Sequence, residues 1–445
     1  MIYFLIPKTN IFTYTKLDFK KTDKDINAYI SPSLSYYLSN IKEKININEK
    51  EWDIYKKYTN PYEYIHTIIP NKKKCVSKFK PLSRSYFKMI ELINIFKLNE
   101  FVIPINRRGS VEDEASTQTF ASPSEFSASA TSATPLRLQI PNSQEEPKYM
   151  LKPNRIPIKT FHLCEGPGGF IQSIVEMRKN HLDKYIGMTI LDDNENYDIP
   201  AWKKSDAFLK ENLNVVIENG IDCTGNILNI ENFIYCKNKY ASTMDMVTGD
   251  GGFDFSMDFN NQEINISRLL FAQIAYALCL QKIGGSFVLK IFDCFMYHTI
   301  DLIYLLSSFY EKVYIAKPQT SRYANSEKYV VCKNFLFSSC DEFYPFLLNV
   351  FQKMIETTVG NPERFLSISV SNHFLTKMEE FNSIFGQQQI ENIYYTISLI
   401  ETKNKTEKID HLIKNNVQKC IGWCMKYGVG FNQITNTNVF LTNGV

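Results

Sequence analysis

The chain has 445 residues, of which 44% are hydrophobic and 14% aromatic, and its formal net charge is +3 at pH 7. This composition predicts a folded protein with one large core plus a smaller one, or one core with long elaborations, and excludes a largely unfolded chain. Because the net charge is small, any affinity for nucleic acid must come from local patches of positive charge.

Cysteine usage and the apolar segments indicate the compartment. The ten cysteines are scattered, with no Cys-x-x-Cys pair and no zinc-like ligand spacing, which predicts reduced thiols and no metal site. The segment from Met1 to Pro7 is too short for a signal peptide and lacks a basic leader. The run from Leu269 to Leu280 is too short to span a bilayer. We therefore expect a soluble intracellular protein that does not enter a membrane.

Residues 1–82 form a basic extension. Residues 1–88 hold 17 Lys and Arg against 8 Asp and Glu, and six cations crowd the end of this region: Lys72, Lys73, Lys74, Lys78, Lys80 and Arg84. Two interpretations are equally supported, a solvated basic face and a patch that contacts phosphates.

The next two segments differ sharply in composition. In residues 83–98, Phe87, Ile90, Ile93 and Leu98 recur at helical spacing, so we place a helix within residues 83–106. Residues 107–148 are dominated by Ser, Thr, Ala, Pro and Glu, which predicts a disordered insertion whose removal leaves activity largely intact.

The segment from Phe161 to Phe170 predicts a sharp turn from a strand into a helix. Residues 159–165 have the pattern of a short buried strand, and a helix is expected from Phe170 to Lys179. The glycines between them allow a tight turn with no Cβ in the way, so a ligand can lie against bare backbone near the helix N-terminus. Taken alone, a tight turn without a ligand is about equally plausible. The Gly-x-Gly-x-x-Gly spacing of dinucleotide enzymes is absent, which disfavours an NAD-dependent oxidoreductase.

Strand and helix patterns alternate within residues 149–338, the predicted core domain. Seven strands are expected, at 159–165, 184–190, 214–218, 244–249, 286–292, 311–317 and 328–333. Helices are expected at 170–180, 262–282 and 297–310, the second of them capped by Gly284 and Gly285. This alternation predicts an α/β fold with a mostly parallel sheet and helices on both faces. Residues 339–445 have the pattern of a helical region without identifiable chemistry.

Four polar residues stand at or near elements where they are unexpected. Asp250 follows an apolar strand, Lys290 lies inside one, Glu327 opens the last strand, and Lys88 lies on an apolar helix. A lysine in a buried strand is costly unless it has partners, and burial readily lowers its pKa toward the range of a general base. A strand-end lysine that reaches water explains Lys290 less well, whereas solvated roles for the other three are at least as plausible when each is taken singly.

Together these segments resemble a known family. The matching segments are Ser83 to Lys88, Cys164 to Phe170, Gly187 to Ile190, Gly220 to Ile227, Gly249 to Asp254, Asn261 to Glu263, Gly284 to Asp293 and Lys317 to Lys333. They resemble the FtsJ/RrmJ-like RNA 2′-O-methyltransferases that use S-adenosyl-L-methionine, and most of all the enzymes of eukaryotes and large DNA viruses that methylate the ribose next to an mRNA cap. The resemblance implies a Rossmann-like methyltransferase fold with a seven-stranded sheet.

The resemblance also assigns residues to roles. It implies a catalytic tetrad of Lys88, Asp250, Lys290 and Glu327, in which Lys290, kept neutral by Lys88, is the general base. Cofactor contacts fall on Asp250, on Asp222 near the adenine, and on Cys164, Glu165, Gly166, Pro167, Gly168, Gly169 and Phe170. RNA contacts fall on Asn261, Gln262 and Asn325. The acid that holds the cofactor ribose stays unassigned, because Asp192 and Asp193 both follow the second strand.

The leading hypothesis is methylation of the first transcribed nucleotide of capped mRNA. The resemblance implies that RNA is the partner, together with other capping or transcription proteins. It also implies an intracellular location, with the cytoplasm or a viral factory or virion favoured over the nucleus. Two alternatives stay open: methylation of ribosomal or transfer RNA, and a silent methyltransferase fold that only binds RNA. The lysine buried in a strand argues against the silent fold, since a binding module has no need of it.

Overall fold

The computed structural model describes residues 1–98, 156–191, 201–252, 260–357, 360–402 and 405–434. The predicted insertion at 107–148 and the pair Asp192 and Asp193 lie outside the described residues. In chain order the strands are β1 (Ile2–Ile6), β2 (Leu17–Thr22), β3 (Lys159–Leu163), β4 (Lys184–Met188), β5 (Val215–Ile217), β6 (Met244–Gly249), β7 (Gln281–Ile291), β8 (Tyr310–Lys317), β9 (Lys328–Phe335) and β10 (Asn361–Leu366).

Helices flank and connect these strands. In chain order they are α1 (Pro32–Ile47), α2 (Glu49–Thr59), α3 (Ser85–Phe96), α4 (Gly169–Arg178), α5 (Asp206–Glu211), α6 (Ile230–Tyr240), α7 (Gln262–Leu280), α8 (Tyr297–Phe309), α9 (Tyr344–Glu356), α10 (Asn372–Glu401) and α11 (Thr406–Lys426). Short 3-10 turns lie at Ile11–Lys16 and Glu63–Ile65.

The central sheet has eight strands in the order β1-β8-β9-β7-β6-β3-β4-β5. The five strands from β7 to β5 are parallel, whereas β9 runs antiparallel to both β7 and β8. All seven predicted strands are present, so the α/β fold with a mostly parallel sheet is confirmed. The count of seven was wrong by one, because β1 adds an antiparallel edge strand beside β8.

The sheet is covered on both faces, as predicted. One face packs against α3 and α4, whose Met89, Leu92 and Phe170 share a buried cluster with Val288 of β7. The other face packs against α6 to α10, and α7 is almost completely buried there. Because successive side chains of a strand point to opposite faces, Lys290 shares the face of Val288.

The boundary between α7 and β7 differs from the prediction. The helix ends at Leu280, β7 begins at the next residue, and Gly284 and Gly285 therefore lie inside the strand rather than at a helix cap. Gly284 has a φ of 79°, and a Cβ on Gly285 would lie 3.1 Å from the carbonyl oxygen of Asp245. The pairing register of β7 with β6 shifts in this region, so the two glycines allow an irregular strand to approach its neighbour.

Both ends of the chain pack together around the core. A second sheet has two strands, β2 and β10. Strand β10 lies within residues 339–445, which were predicted to be helical. Helices α1 and α2 pack against α10, where Trp52 shares a buried cluster with Ile393 and Ile397. The basic extension therefore contributes to the same body as the core.

Helix α7 is the one helix of the described residues that is long and apolar enough to cross a membrane. Of its most apolar stretch, 83% is buried inside the protein. That burial is what a core helix beneath a sheet requires.

Candidate active site

The four tetrad residues converge at one edge of the sheet. Asp250 directly follows β6, Lys290 is the penultimate residue of β7, and Glu327 immediately precedes β9. Because β6, β7 and β9 are neighbours and β9 is antiparallel, the ends of the first two and the start of the third meet at the same edge. Helix α3 brings Lys88 to this edge from the covering layer.

The tetrad is organised as two ion pairs. Lys88 Nζ lies 2.7 Å from Glu327 Oε1 and 2.8 Å from Oε2. Lys290 Nζ lies 3.3 Å from Asp250 Oδ1 and donates to the Asp250 carbonyl oxygen at 2.6 Å. Each lysine therefore has a carboxylate of its own, and both pairs are largely buried.

The electrostatics of Lys290 correct the predicted mechanism. Burial lowers the pKa of Lys290, but the nearby carboxylates of Asp250 and Glu327 outweigh burial and raise it above its ordinary value. The expectation that Lys88 keeps Lys290 neutral was therefore wrong for the free protein, because the Lys88 charge is paired with Glu327. In the free protein these two carboxylates favour the ammonium form of Lys290.

Glu327 is ionised for the complementary reason. Burial alone would raise its pKa, but the charges of Lys88 and Lys290 lower the pKa to about 2. Its Oε1 also accepts a hydrogen bond from the Ser321 hydroxyl at 2.8 Å. Glu327 therefore stays a carboxylate over the whole neutral range. It forms the ion pair with Lys88 and helps to raise the pKa of Lys290.

A cavity of about 860 Å³ opens at this edge, within the size range of small-molecule sites. Asp250, Lys290 and Glu327 line it, whereas Lys88 lies behind Glu327 and supports it. The tetrad therefore divides into three residues that can meet a substrate and one that holds Glu327 in place.

The turn after β3 has the predicted form, but fewer of its residues reach the cavity than predicted. Gly168 has a φ of 104°, and α4 begins at Gly169. Of the seven residues assigned to the cofactor in this turn, only Cys164 and Gly166 line the cavity, and Phe170 is fully buried against Tyr329. The phenyl ring belongs to the core because α4 packs directly on the sheet.

The glycines of the turn are required by packing as well as by the turn itself. A Cβ on Gly166 would lie 2.4 Å from the carbonyl oxygen of Ala201, and one on Gly169 would lie 2.1 Å from the hydroxyl oxygens of both Ser83 and Ser85. Gly169 therefore allows the start of α4 to touch the start of α3, the helix that carries Lys88.

The predicted RNA-contacting residues separate into two groups. Gln262 and Asn325 line the cavity, and Gln262 Oε1 accepts from the Ser326 hydroxyl at 2.8 Å. Asn325 is held by Lys317, whose Nζ donates to its side-chain oxygen at 3.1 Å. Asn261 precedes α7 and is not part of the cavity wall. Their contacts with RNA stay predictions.

Asp222 lies beside the cavity without lining it. Its Oδ1 accepts from the Thr224 backbone N–H at 2.9 Å and from the Asn232 side chain at 2.8 Å. Burial works to raise its pKa, but these donors lower it to about 2. Residues 225–228 of the same loop do line the cavity. The carboxylate thus shapes the loop, and its contact with an adenine stays a prediction.

The residues of this edge fit a ligand such as S-adenosyl-L-methionine. Glu165 is 2% exposed, and its Oε2 has no hydrogen-bond partner among the described residues, while Oε1 accepts from the Phe170 backbone N–H. Burial and the neighbouring Asp250 raise the pKa of Glu165 well above its ordinary value. A buried carboxyl oxygen without a partner is costly, so a donor group of a ligand held between Cys164 and Gly166 would stabilise it.

Sequence reasoning missed Tyr329, which contacts one of the tetrad residues. The Tyr329 hydroxyl donates to Asp250 Oδ1 at 3.2 Å. Tyr329 is the second residue of β9, two positions after Glu327, and it pairs with Lys290 of β7. It therefore lies close to a member of each ion pair. The only signal in the sequence was its place inside the long Lys317 to Lys333 segment.

Arg84 is placed differently from the prediction. The sequence grouped it with neighbouring lysines in a basic face that either is solvated or contacts phosphates, but Arg84 donates to Glu63 at 3.2 Å and to the Thr320 carbonyl oxygen at 3.0 Å. Glu63 is fully buried and also accepts from Arg322 at 2.7 Å and from Asn60 at 2.7 Å. Arg84 therefore joins the extension to the segment before Glu327 and is not part of an exposed patch.

The wall opposite the tetrad comes from the two ends of the chain, to which the sequence assigned no site. Helices α1 and α2 and the residues that follow contribute Lys42, Ile45, Asn46, Glu49, Trp52, Asp53, Lys56 and Asn60, and α10 contributes Gln389 and Asn392. Lys42 is itself buried and pairs with Asp293 at 2.8 Å, three residues after Lys290. Nothing in the sequence indicated this wall, because it depends on contacts between distant parts of the chain, such as Lys42 with Asp293, which are 251 positions apart.

The sequence of this chain is similar to those of known methyltransferases. Residues 144–335 match the model of the FtsJ-like methyltransferase family. The chain is 31% identical over 269 residues to cap-specific mRNA (nucleoside-2′-O-)-methyltransferase 2 of Pongo abelii, covering 59% of this chain and 34% of that protein. It is 34% identical over 241 residues to cap-specific mRNA (nucleoside-2′-O-)-methyltransferase 1 of Mus musculus, covering 53% of this chain and 28% of that protein.

A third relative is cap-specific mRNA (nucleoside-2′-O-)-methyltransferase 2 of Drosophila melanogaster, 32% identical over 188 residues, covering 40% of this chain and 27% of that protein. The matched region spans about a third or less of the length of these relatives. The match to the family model begins before β3 and ends with β9, so it contains three of the four tetrad residues. The similarity to the FtsJ-like methyltransferase family therefore covers residues 144–335, the part of the chain that carries the sheet from β3 to β9.

Proposed function

We propose that the protein transfers a methyl group from S-adenosyl-L-methionine to the 2′-oxygen of a ribose in RNA, and that its substrate is capped mRNA, methylated at the first transcribed nucleotide. The observation that carries the proposal is the pairing of Lys88 with Glu327 and of Lys290 with Asp250 at one cavity. The names of the relatives support the choice of capped mRNA.

The residue types fit this chemistry. A ribose 2′-hydroxyl is a poor nucleophile and must lose its proton as its oxygen forms a bond to carbon. S-adenosyl-L-methionine would supply the methyl group on a positively charged sulfur, and the sulfur–methyl bond would break as the oxygen–carbon bond forms, leaving a neutral thioether. Lys290 Nζ accepts the hydroxyl proton, Asp250 and Glu327 stabilise the ammonium that results, and Lys88 fixes Glu327. In-line alignment of the reacting atoms by the cavity walls provides further acceleration.

The charge state of Lys290 adds a requirement. Asp250 and Glu327 hold it as an ammonium in the free protein, so it must release a proton before it can act as the base. The rate of methyl transfer is therefore expected to rise with pH across the neutral and mildly alkaline range. Capping or transcription proteins as further partners stay a prediction.

The direct test is transfer of a radiolabelled methyl group to short RNAs of identical sequence. We expect incorporation into RNA with a methylguanosine cap and little into RNA with a 5′-triphosphate. A structured ribosomal or transfer RNA fragment provides the matched comparison for the alternative substrate class. Equal or greater incorporation into the structured RNA would contradict the proposed substrate, and no incorporation into any RNA would contradict the proposed activity.

A further inference from the structure

The segment of residues 318–327, between β8 and β9, carries Glu327 into the site and is held at one end by a buried lysine. Lys317, the last residue of β8, is 5% exposed. Its Nζ donates to the carbonyl oxygen of Asn325 at 2.6 Å, to the side-chain oxygen of Asn325 at 3.1 Å and to the carbonyl oxygen of Glu327 at 2.9 Å. These three oxygens all lie within hydrogen-bonding distance of one nitrogen, and burial lowers the pKa of Lys317 well below its ordinary value.

The other end of this segment is held by a buried carboxylate. Glu91 is fully buried on α3, three residues after Lys88 and hence on the same face of the helix. Its Oε2 accepts from the Gln319 backbone N–H at 2.8 Å, and its Oε1 accepts from the Thr320 backbone N–H at 2.8 Å and the Thr320 hydroxyl at 2.7 Å. Both oxygens of Glu91 are therefore used on the segment that leads to Glu327.

These two side chains fix the partners of one tetrad ion pair relative to each other. Glu91 ties the segment to the helix that carries Lys88, and Lys317 ties the backbone of Glu327 to the end of β8. Neither Lys317 nor Glu91 lines the cavity, so any effect on the reaction must pass through the residues they hold, which are Glu327 with Lys88 and, for Lys317, also Asn325.

We propose that Lys317 and Glu91 are positioning residues that hold Glu327 at hydrogen-bonding distance from Lys88. The inference rests on the proposed methyl transfer and names two further residues on which that reaction depends. A displacement of about 1 Å in a catalytic group can cost about 10²-fold in rate, so the loss of either residue is expected to reach the chemical step.

The test uses the full chain with Lys317→Met, which keeps an unbranched side chain but removes the hydrogen bonds of Nζ, and with Glu91→Gln. We expect each to lower kcat at least about tenfold while KM for the methyl donor, and for Glu91→Gln also KM for RNA, stays within about threefold. Thr320→Val removes only one donor to Glu91 and preserves volume, so a smaller fall in kcat is expected. This milder variant keeps the test possible if the first two variants fold poorly.

The matched control is Asp301→Asn. Asp301 is a fully buried carboxylate that pairs with Arg364 at 2.8 Å, and neither residue lines the cavity. This variant is expected to lower stability and leave kcat of the folded protein unchanged. A fall in kcat as large as that of Glu91→Gln would overturn the proposal, because general loss of stability would then explain both.

A crystal structure of each variant supplies a readout that does not depend on activity. Separation of Lys88 Nζ and Glu327 beyond the 2.7 Å of the native pair supports the proposal, and an intact pair overturns it whatever the rate. If the native protein transfers no methyl group to RNA, the proposed function fails. The crystallographic distances still decide whether Lys317 and Glu91 position Glu327.

Discussion

Lys290 is the residue on which the proposed chemistry depends most directly. Replacing it with alanine removes the proton acceptor, so Lys290→Ala is expected to lower the rate of methyl transfer about 10²- to 10⁴-fold. Lys290→Arg should be nearly as damaging, because a guanidinium does not release its proton near neutral pH. Rates come from radiolabel transfer and binding of the methyl donor from calorimetry.

Binding of the methyl donor is the control for Lys290. The residues around Cys164 and Gly166 are untouched by either substitution, so affinity for the donor is expected to be retained. Loss of both binding and transfer would identify Lys290 as a structural lysine, and full activity of Lys290→Ala would remove it from the mechanism.

The pH dependence of the rate follows from the charges around Lys290. Asp250 and Glu327 raise its pKa, so the fraction of neutral amine, and with it the rate, increases as pH rises. Glu327→Gln removes one of these carboxylates and leaves the Lys88 charge uncompensated, and both changes lower the pKa of Lys290. We therefore expect the rise in rate to move to lower pH, together with a lower maximum rate, in assays at saturating substrates from about pH 6 to 10.

A charge change outside the site serves as the comparison. Glu311 is exposed at the start of β8, where it accepts from Asn334, and Glu311→Gln should leave the pH profile unchanged. A shift of the Glu327→Gln profile toward higher pH would contradict the charge assignment given to Lys290.

At the scale of elements, the contact between α3 and α4 links the turn after β3 to Lys88. A Cβ on Gly169 would overlap both Ser83 and Ser85 and lie 3.1 Å from the Tyr86 backbone nitrogen. Gly169→Ala should therefore push the start of α3 outward, lower stability by about 1–3 kcal/mol and lower the transfer rate through the displaced Lys88. Urea unfolding and the transfer assay measure the two effects.

Two variants control for the effect of adding a methyl group at Gly169. Gly422, within α11, has no atom within 4 Å of an added Cβ, so Gly422→Ala should be neutral or stabilising by up to about 1 kcal/mol. Adding Ser83→Ala and Ser85→Ala to Gly169→Ala removes both overlapping hydroxyls and should recover much of the loss. No recovery would show that the overlap with these serines is not the cause.

At the scale of the whole molecule, the basic extension presents a compact lysine surface. Lys72, Lys73 and Lys74 are exposed in a turn closed by a hydrogen bond from the Ile69 backbone N–H to the Lys74 carbonyl oxygen at 3.1 Å. If they contact phosphates, replacing all three with glutamine should weaken RNA binding. It should also reduce the slope of log K against log salt by about 2, since each contact with single-stranded RNA contributes about 0.7.

A charge-matched triple substitution separates local contacts from net charge. Lys16, Lys20 and Lys24 are also exposed and belong to the same extension, but they lie in and around β2. Their replacement should leave the salt slope nearly unchanged. Equal effects of the two triple variants, measured by fluorescence anisotropy across a salt series, would mean that Lys72 to Lys74 act only as a solvated face.

The sequence predicted most of the central sheet because its strands are short apolar runs. Most of these runs are separated by segments in which apolar residues recur at helical spacing. It missed β1, since Tyr3 and Leu5 are half exposed on an edge, and the β2–β10 pair, whose partners are more than 300 residues apart. The four residues of the predicted tetrad were chosen from segments that resemble the family, and their catalytic roles stay predictions. The sequence did not predict the charge of Lys290. The direction in which its pKa shifts depends on the distances to Asp250 and Glu327, which only the fold provides.

The most direct test of the central claim is the position of the methyl group in the product. Capped RNA treated with the protein and the methyl donor would be digested with nuclease, and the fragments analysed by mass spectrometry beside RNA with a 2′-deoxy first nucleotide. The account predicts one added methyl on the ribose of the first transcribed nucleotide, none on the 2′-deoxy substrate and none with Lys290→Ala. A methyl group on a base or on the cap guanine, or labelling of the 2′-deoxy substrate, would contradict it.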